Sequence, residues 1–143
     1  MKEVVKYSGC FVCGDKNENG LKARFYFDGE QAFTDVVAQK QFEGYSGIYH
    51  RGIVSTLLDE VMIKAILAQD RFAVTAEMTV RFLQPIRTGD KITLAGKVTK
   101  SKGRVFFTEG KVTAENGQTL ATATGRYVEV DTKLKAALMS SVE

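Results

Sequence analysis

The sequence predicts an α+β fold in which an antiparallel β-sheet wraps around one long central helix, and three observations carry that expectation. A stretch from about residue 52 to 69 is apolar on nearly every side, so as a helix it has to be buried all round. A hairpin pattern precedes it, and a meander of about four strands follows it. Short local turns join the strands, which makes their pairing antiparallel. Either the sheet curls around the helix or a second copy of the chain covers it.

The N-terminal segment, residues 1–20, carries Cys10 and Cys13 as a C-x-x-C followed by Gly14. A closed zinc site wants four ligands, and His50 is the only further candidate of the usual kind, so no metal is expected. A redox disulfide is a second reading, although no βαβ pattern accompanies the pair. The plainest reading is two cysteines packing a tight turn. After Gly20, alternation places Leu21, Ala23, Phe25 and Phe27 on one face of a strand. Asp28-Gly29 is a hairpin turn, and Ala32 to Ala38 reads as the returning strand. Residues 39–50 form a polar, glycine-bearing loop before the helix.

Beyond the helix, Phe72, Val74, Ala76, Met78, Val80 and Phe82 are expected on one face of a strand, with Thr75, Glu77, Thr79 and Arg81 on the other. The lone proline, Pro85, and the turn around Gly89-Asp90 lead into strands near 91–100 and 104–114. Asn116-Gly117 is a second hairpin signal and opens a strand over Thr119–Val130. Asp131 or Thr132 is placed to cap a short C-terminal helix or tail over 131–143.

The 143 residues are expected to form a single domain with an ordinary globular composition. A net charge of +3 is too small to imply nucleic acid. The opening Met-Lys-Glu-Val-Val-Lys lacks the apolar core of a signal peptide. Asp59, Glu60 and Lys64 interrupt the long helix, which makes it a poor membrane span. The expectation is a cytoplasmic protein with neither nucleic-acid nor membrane partners.

The chemistry concentrates in His50 to Met62. A loop ends in the only histidine and runs into the greasy helix, where two acids stand together. Glu60 has Lys64 four residues on, in the favourable order. The helical neighbours of Asp59 are Ser55, Thr56, Met62 and Ile63, none of them a cation. Burying an unpaired carboxylate is costly, so Asp59 is the leading candidate for a functional group. Two alternatives stay open: an ion pair with a distant cation such as Arg81, and a purely structural role for Thr75 as a strand residue.

His50-Arg51-Gly52, with Asp59-Glu60 nine residues after the histidine, resembles the helix motif of the hotdog-fold acyl-CoA thioesterases, in particular the phenylacetate-pathway type. Phe82-Leu83-Gln84-Pro85 followed by Gly89-Asp90 is similar to a second pattern of that family. Cys10, Cys13, Gly14, Asn17, Gly20 and Leu21 match an N-terminal pattern of some members, so the likeness spans roughly residues 10–130. The chain departs from the family in having Arg51 where a glycine is usual, and Gly44 where some members carry a polar amide.

The resemblance implies thioester hydrolysis, with coenzyme A entering as part of the substrate and no separate cofactor. Asp59 would be general base or nucleophile. The backbone N–H of Arg51, at the helix start beside Gly52, would hold the developing oxyanion. Thr75 would stand close to the acid, and His50 belongs to the same catalytic motif, the plainer alternatives for it being to orient the loop or to satisfy a backbone carbonyl. Glu60, Arg81, Arg87, Lys102 and Arg104 are candidate substrate contacts, the basic ones for coenzyme A phosphates, although a solvated strand face explains them as simply. Competing functions are a non-catalytic acyl-CoA or acyl-ligand binding module on the same fold and a hydratase or dehydratase, for which the sequence offers no second histidine. Helix geometry adds one constraint. The Arg51 N–H lies eight residues before Asp59, about 12 Å along the axis, so one carbonyl cannot touch both. Base and oxyanion site are therefore expected from different subunits of a homodimer, or of a dimer of dimers forming a homotetramer.

Overall fold

A computed structural model describes residues 1–140. Seven strands form one antiparallel sheet: β1 (Lys2–Glu3), β2 (Tyr26–Phe27), β3 (Gln31–Val37), β4 (Ala73–Phe82), β5 (Lys91–Lys102), β6 (Val105–Ala114) and β7 (Thr119–Glu129). The long helix α1 (Arg51–Leu67) lies between β3 and β4 in sequence, and α2 (Thr132–Met139) follows β7. The spatial order is β1-β2-β3-β5-β6-β7-β4. The chain therefore leaves β3, crosses one face of the sheet as α1, and returns as β4 at the far edge beside β7.

One face of α1 supplies the middle of the core. Val54, Leu57, Leu58, Val61, Met62, Ala65 and Ile66 are buried on the sheet with Phe25, Ile92, Leu94, Val112 and Tyr127. The fit is close enough to need a glycine at Gly96 in β5. A Cβ there would stand 2.8 Å from the Val61 carbonyl oxygen, inside any real contact distance. The opposite stripe of the helix, Ser55, Thr56, Asp59 and Ile63, stays partly exposed within one chain.

Two expectations about the strands are corrected. Residues 21–25 alternate as read, with Ala23 and Phe25 buried, but they do not pair in the sheet. Lys22 adopts a left-handed conformation (φ 53°), which interrupts the extended run. The backbone N–H groups of Leu21 and Ala23 donate to Phe11 and Val12 of the cysteine-bearing turn at 2.7 and 2.8 Å. The second correction is in β4, whose register against β7 shifts between Thr75 and Glu77. This bulge inserts one residue, Ala76, and inverts the side-chain phase. Before it, Ala73 is buried while Val74 is 43% exposed; after it, Met78, Val80 and Phe82 pack on the core. Thr75 thus points to the helix along with the core-facing side chains, not away from them.

The N-terminus of α2 is capped as expected, the Asp131 carboxylate accepting the Leu134 N–H at 2.8 Å. Among the described residues, no helix is long and apolar enough to cross a membrane.

Candidate active site

Asp59 sits mid-helix on the partly exposed stripe, and its helical neighbours offer it no cation. What it receives is a pair of hydroxyls from the sheet. Thr75 Oγ1 and Tyr127 OH each donate to Asp59 Oδ1 at 2.8 Å. Tyr127 OH also lies 3.2 Å from the Asp59 carbonyl oxygen. Thr75 and Tyr127 are register partners across β4 and β7, so the bulge that turns Thr75 inward brings both hydroxyls to one oxygen. Among the described residues, Oδ2 has no donor and is left for a ligand or water.

Tyr127 was not among the residues singled out from sequence, yet a signal was present. It ends a row of small inward residues, Ala121, Ala123 and Gly125, and a buried tyrosine hydroxyl needs a partner. Burial first, and then the Asp59 charge, pushes its phenol far above the usual range. It therefore stays protonated and remains a donor.

The other end of the site is the start of α1. His50 is its N-cap, and His50 Nδ1 accepts the Gly52 N–H at 2.8 Å. That bond assigns the neutral-ring proton to Nε2 and uses up the Gly52 donor. The N–H groups of Ile53 and Val54 go to the His50 carbonyl. Among the described residues the Arg51 N–H has no acceptor, so one donor remains open at the positive end of the helix dipole. The Arg51 guanidinium lies over the Phe82 ring, 5.1 Å from its centroid.

The remaining candidates are dispersed. Glu60 faces away from Asp59 toward Lys64, with Nζ 3.6 Å from Oε2 and Lys64 wholly buried. Burial raises the Glu60 carboxyl to about 7, and Lys64 partly opposes the rise. Arg81 lines a groove of about 490 Å³ with Thr79, Lys97 and Lys111 on the outer face of the sheet, so it is not the partner of Asp59. Arg87 borders a separate depression beside Pro85 and Lys91. Lys102 is exposed at the end of β5, and Arg104 donates to the Glu129 carbonyl at 2.8 Å. Within one chain, none of these four basic residues joins Asp59.

One group of metal-type ligands converges among the described residues: Cys10, Cys13 and Glu60, within 4.8 Å of one another. The Lys64 ammonium already stands 3.4 Å from Cys13 Sγ and beside Glu60, so a cation is in place and a dication there would be opposed by it.

A family profile described as the thioesterase superfamily matches residues 46–121, more than half of the chain and all of the helix and β4. The chain belongs to the thioesterase superfamily. Its architecture is the hotdog fold, a long helix packed on an antiparallel sheet. A thioesterase superfamily protein of known crystal structure superposes with a TM-score of 0.80 at 24% identity, covering 85% of this chain and 60% of that one. The Escherichia coli PaaI protein from the phenylacetic acid degradation operon superposes at 0.73 with 20% identity, covering 78% and 81%. A Streptococcus mutans protein crystallised with acetyl CoA gives 0.70 at 20% identity, covering 74% and 88%. An uncharacterized Schizosaccharomyces pombe protein is 28% identical over 92 residues, 60% of this chain. The chain spans about half the length of the curated relatives it matches.

Proposed function

We propose that this chain is an acyl-CoA thioesterase working as a homodimer, in which Asp59 of one subunit and the Arg51 N–H of the other act on one thioester. The observation that carries the reading is the carboxylate of Asp59. Two hydroxyls fix Oδ1, no described residue donates to Oδ2, and the group lies on the partly exposed stripe of α1. Superfamily membership and the acetyl CoA bound to a similarly folded protein support the substrate class.

Asp59 takes a proton from a water as that water adds to the thioester carbonyl carbon. The carbonyl oxygen gains negative charge and is met by the Arg51 N–H, where the helix dipole adds to the attraction. Collapse breaks the C–S bond, and the departing thiolate of coenzyme A collects the proton. Direct attack by Asp59 would instead form a mixed anhydride that water then cleaves. Both routes need the same two groups, and along one helix these are about 12 Å apart. A two-fold axis that lays two α1 stripes antiparallel brings each Asp59 to the other's helix start. It also covers the exposed stripe and the free edge of β4.

The test is complementation between two inactive variants. Asp59→Asn removes the base and should reduce turnover roughly 10²–10⁴-fold. Arg51→Pro removes the N–H at the first helical position, where proline is tolerated, and His50 is already extended (φ −64°, ψ 129°) as a residue before proline should be. Arg51→Gly is the control for the side chain alone. In each mixed dimer one site carries both lesions and the other neither, so random subunit exchange should restore about a quarter of native activity. Inactive mixtures after proven exchange would refute the shared site. Stoichiometric binding of acyl-CoA with no thiol release by the native chain would identify a binding module instead.

A further inference from the structure

The mechanism above leaves unused a buried cluster of reactive groups beneath the N-terminal turn. Cys10 and Cys13 are both free thiols, and their sulfurs lie within 4.8 Å of each other. The turn that brings them together is closed by the Gly14 N–H on the Cys10 carbonyl at 2.9 Å. A Cβ on Gly14 would stand 2.4 Å from the Ser8 carbonyl oxygen and 2.6 Å from the Cys10 nitrogen, so the turn needs a glycine. The Val12 N–H points at Cys10 Sγ from 3.4 Å.

The two sulfurs are unequal. Cys10 is half-buried and lines a cavity of about 120 Å³ with Tyr7, Glu60, Phe72 and Leu138. Cys13 is fully buried behind it, with the Lys64 ammonium 3.4 Å from its Sγ. Lys64 is held there by the Val5 carbonyl at 2.5 Å and by the rings of Tyr7 and Phe25. Cys13 nevertheless keeps its proton, its thiol pushed up by the contact with the Cys10 sulfur and by burial against the opposing Lys64 charge, which leaves Cys10 as the sulfur where a thiolate forms. The Cys13 S–H, the backbone N–H groups of Cys13 and Val12 and the Lys64 charge together hold the Cys10 thiol well below its usual range, against the opposing effect of burial.

We propose that Cys10 and Cys13 form a reversible dithiol–disulfide pair oxidised by small hydroperoxides, with Cys10 as the attacking sulfur and Cys13 as the resolving one. The Cys10 thiolate attacks one peroxide oxygen, and the O–O bond breaks. The other oxygen leaves with a proton as water or an alcohol, and Cys10 becomes a sulfenic acid. Cys13 sulfur then attacks Cys10 sulfur; the S–S bond forms, the S–O bond breaks, and the hydroxide leaves with the Cys13 proton as a second water. The thiols lose two electrons and the peroxide gains them. The cavity beside Cys10 has room for a molecule the size of hydrogen peroxide. The inference is independent of the thioester chemistry.

The test treats the reduced full chain with hydrogen peroxide and follows free thiols and intact mass. The expected result is loss of both thiols and of two hydrogens, reversed by dithiothreitol. Cys13→Ser should stop at one added oxygen, trapped by dimedone, and Cys10→Ser should not react at the native rate. The native rate should be nearly level from pH 6 to 8, whereas an ordinary thiol of pKa about 8.5 would accelerate roughly seventyfold over that span. Lys64→Met should slow the reaction at pH 7, and the native pH profile serves if that variant does not fold. A rate that climbs with pH as an ordinary thiol's does, a disulfide between chains, or one equivalent of zinc that blocks both thiols would each overturn the proposal.

Discussion

Tyr127→Phe is the most informative single change at Asp59, because it deletes one oxygen and leaves the ring that fills the core. The hydroxyl makes a 2.8 Å bond to Asp59 Oδ1 and lies 3.2 Å from the Asp59 carbonyl oxygen. Tyr127 is wholly buried, so water does not replace the lost donor. A hydrogen bond to a charged group contributes about 1.5–3 kcal/mol, and that is the expected loss of stability in urea denaturation. Thr75→Val removes the other donor to the same oxygen, but Thr75 is exposed, water substitutes, and the expected cost is about 0.5–1 kcal/mol. For turnover the two should be coupled. Either hydroxyl alone still holds Oδ1, whereas without both the carboxylate rotates freely. We expect each single variant to lose up to about tenfold in kcat with KM little changed, and the double variant to lose more than the product of the two. The assay is thiol release from acetyl-CoA or another cleaved acyl-CoA. Full activity in Tyr127→Phe, with the double variant no worse than Thr75→Val, would refute the idea that paired hydroxyls position the base.

Three further outcomes are expected. Gly96→Ala places a methyl 2.8 Å from the Val61 carbonyl oxygen and should cost about 1–3 kcal/mol, read as a lower Tm by calorimetry with the fold retained. His50→Ala removes the N-cap acceptor of the Gly52 N–H and should cost about 1 kcal/mol, measured by urea midpoint. Glu60 is raised from an ordinary 4.5 to about 7, chiefly by burial, so between those values the folded chain keeps a proton that the unfolded chain releases. Its contribution therefore makes stability fall as pH rises through that window, and Glu60→Gln should flatten the dependence in denaturation curves taken at several pH values.

The helix and its acid were legible because both are local. Apolar residues at every turn define α1, and Asp59 stands out against Ser55, Thr56, Met62 and Ile63. The hairpin turns and the Asp131 cap were legible for the same reason. The phase of β4 was not, because the alternation runs unbroken through Ala76 and the bulge depends on the pairing of Thr75 with Tyr127 and Glu77 with Arg126. Residues 21–25 read as a strand because their pattern is that of one; the partner that captures their N–H groups is the cysteine turn. Lys64 was legible as the helical neighbour of Glu60, but its approach to Cys13, 51 positions away, leaves no local trace. The basic candidates failed to converge within a chain because alternation assigns a face, not a destination.

The placement of β4 at the far edge of the sheet bears on how the chain acquires its site. Asp59 meets Thr75 across 16 positions, but it meets Tyr127 across 68. The β5–β6 hairpin closes on itself early, while β4 has to wait for β7 to be made before it finds a neighbour, and such distant closures are slow. During synthesis the carboxylate therefore emerges long before its second hydroxyl. A chain interrupted anywhere ahead of Tyr127 would carry the acid and the helix start with neither the full clamp nor the last sheet partner. Under the proposed mechanism, full hydrolytic activity would therefore report completed folding, declining as β7 frays from β4 and returning in full only when the last strand pair has closed.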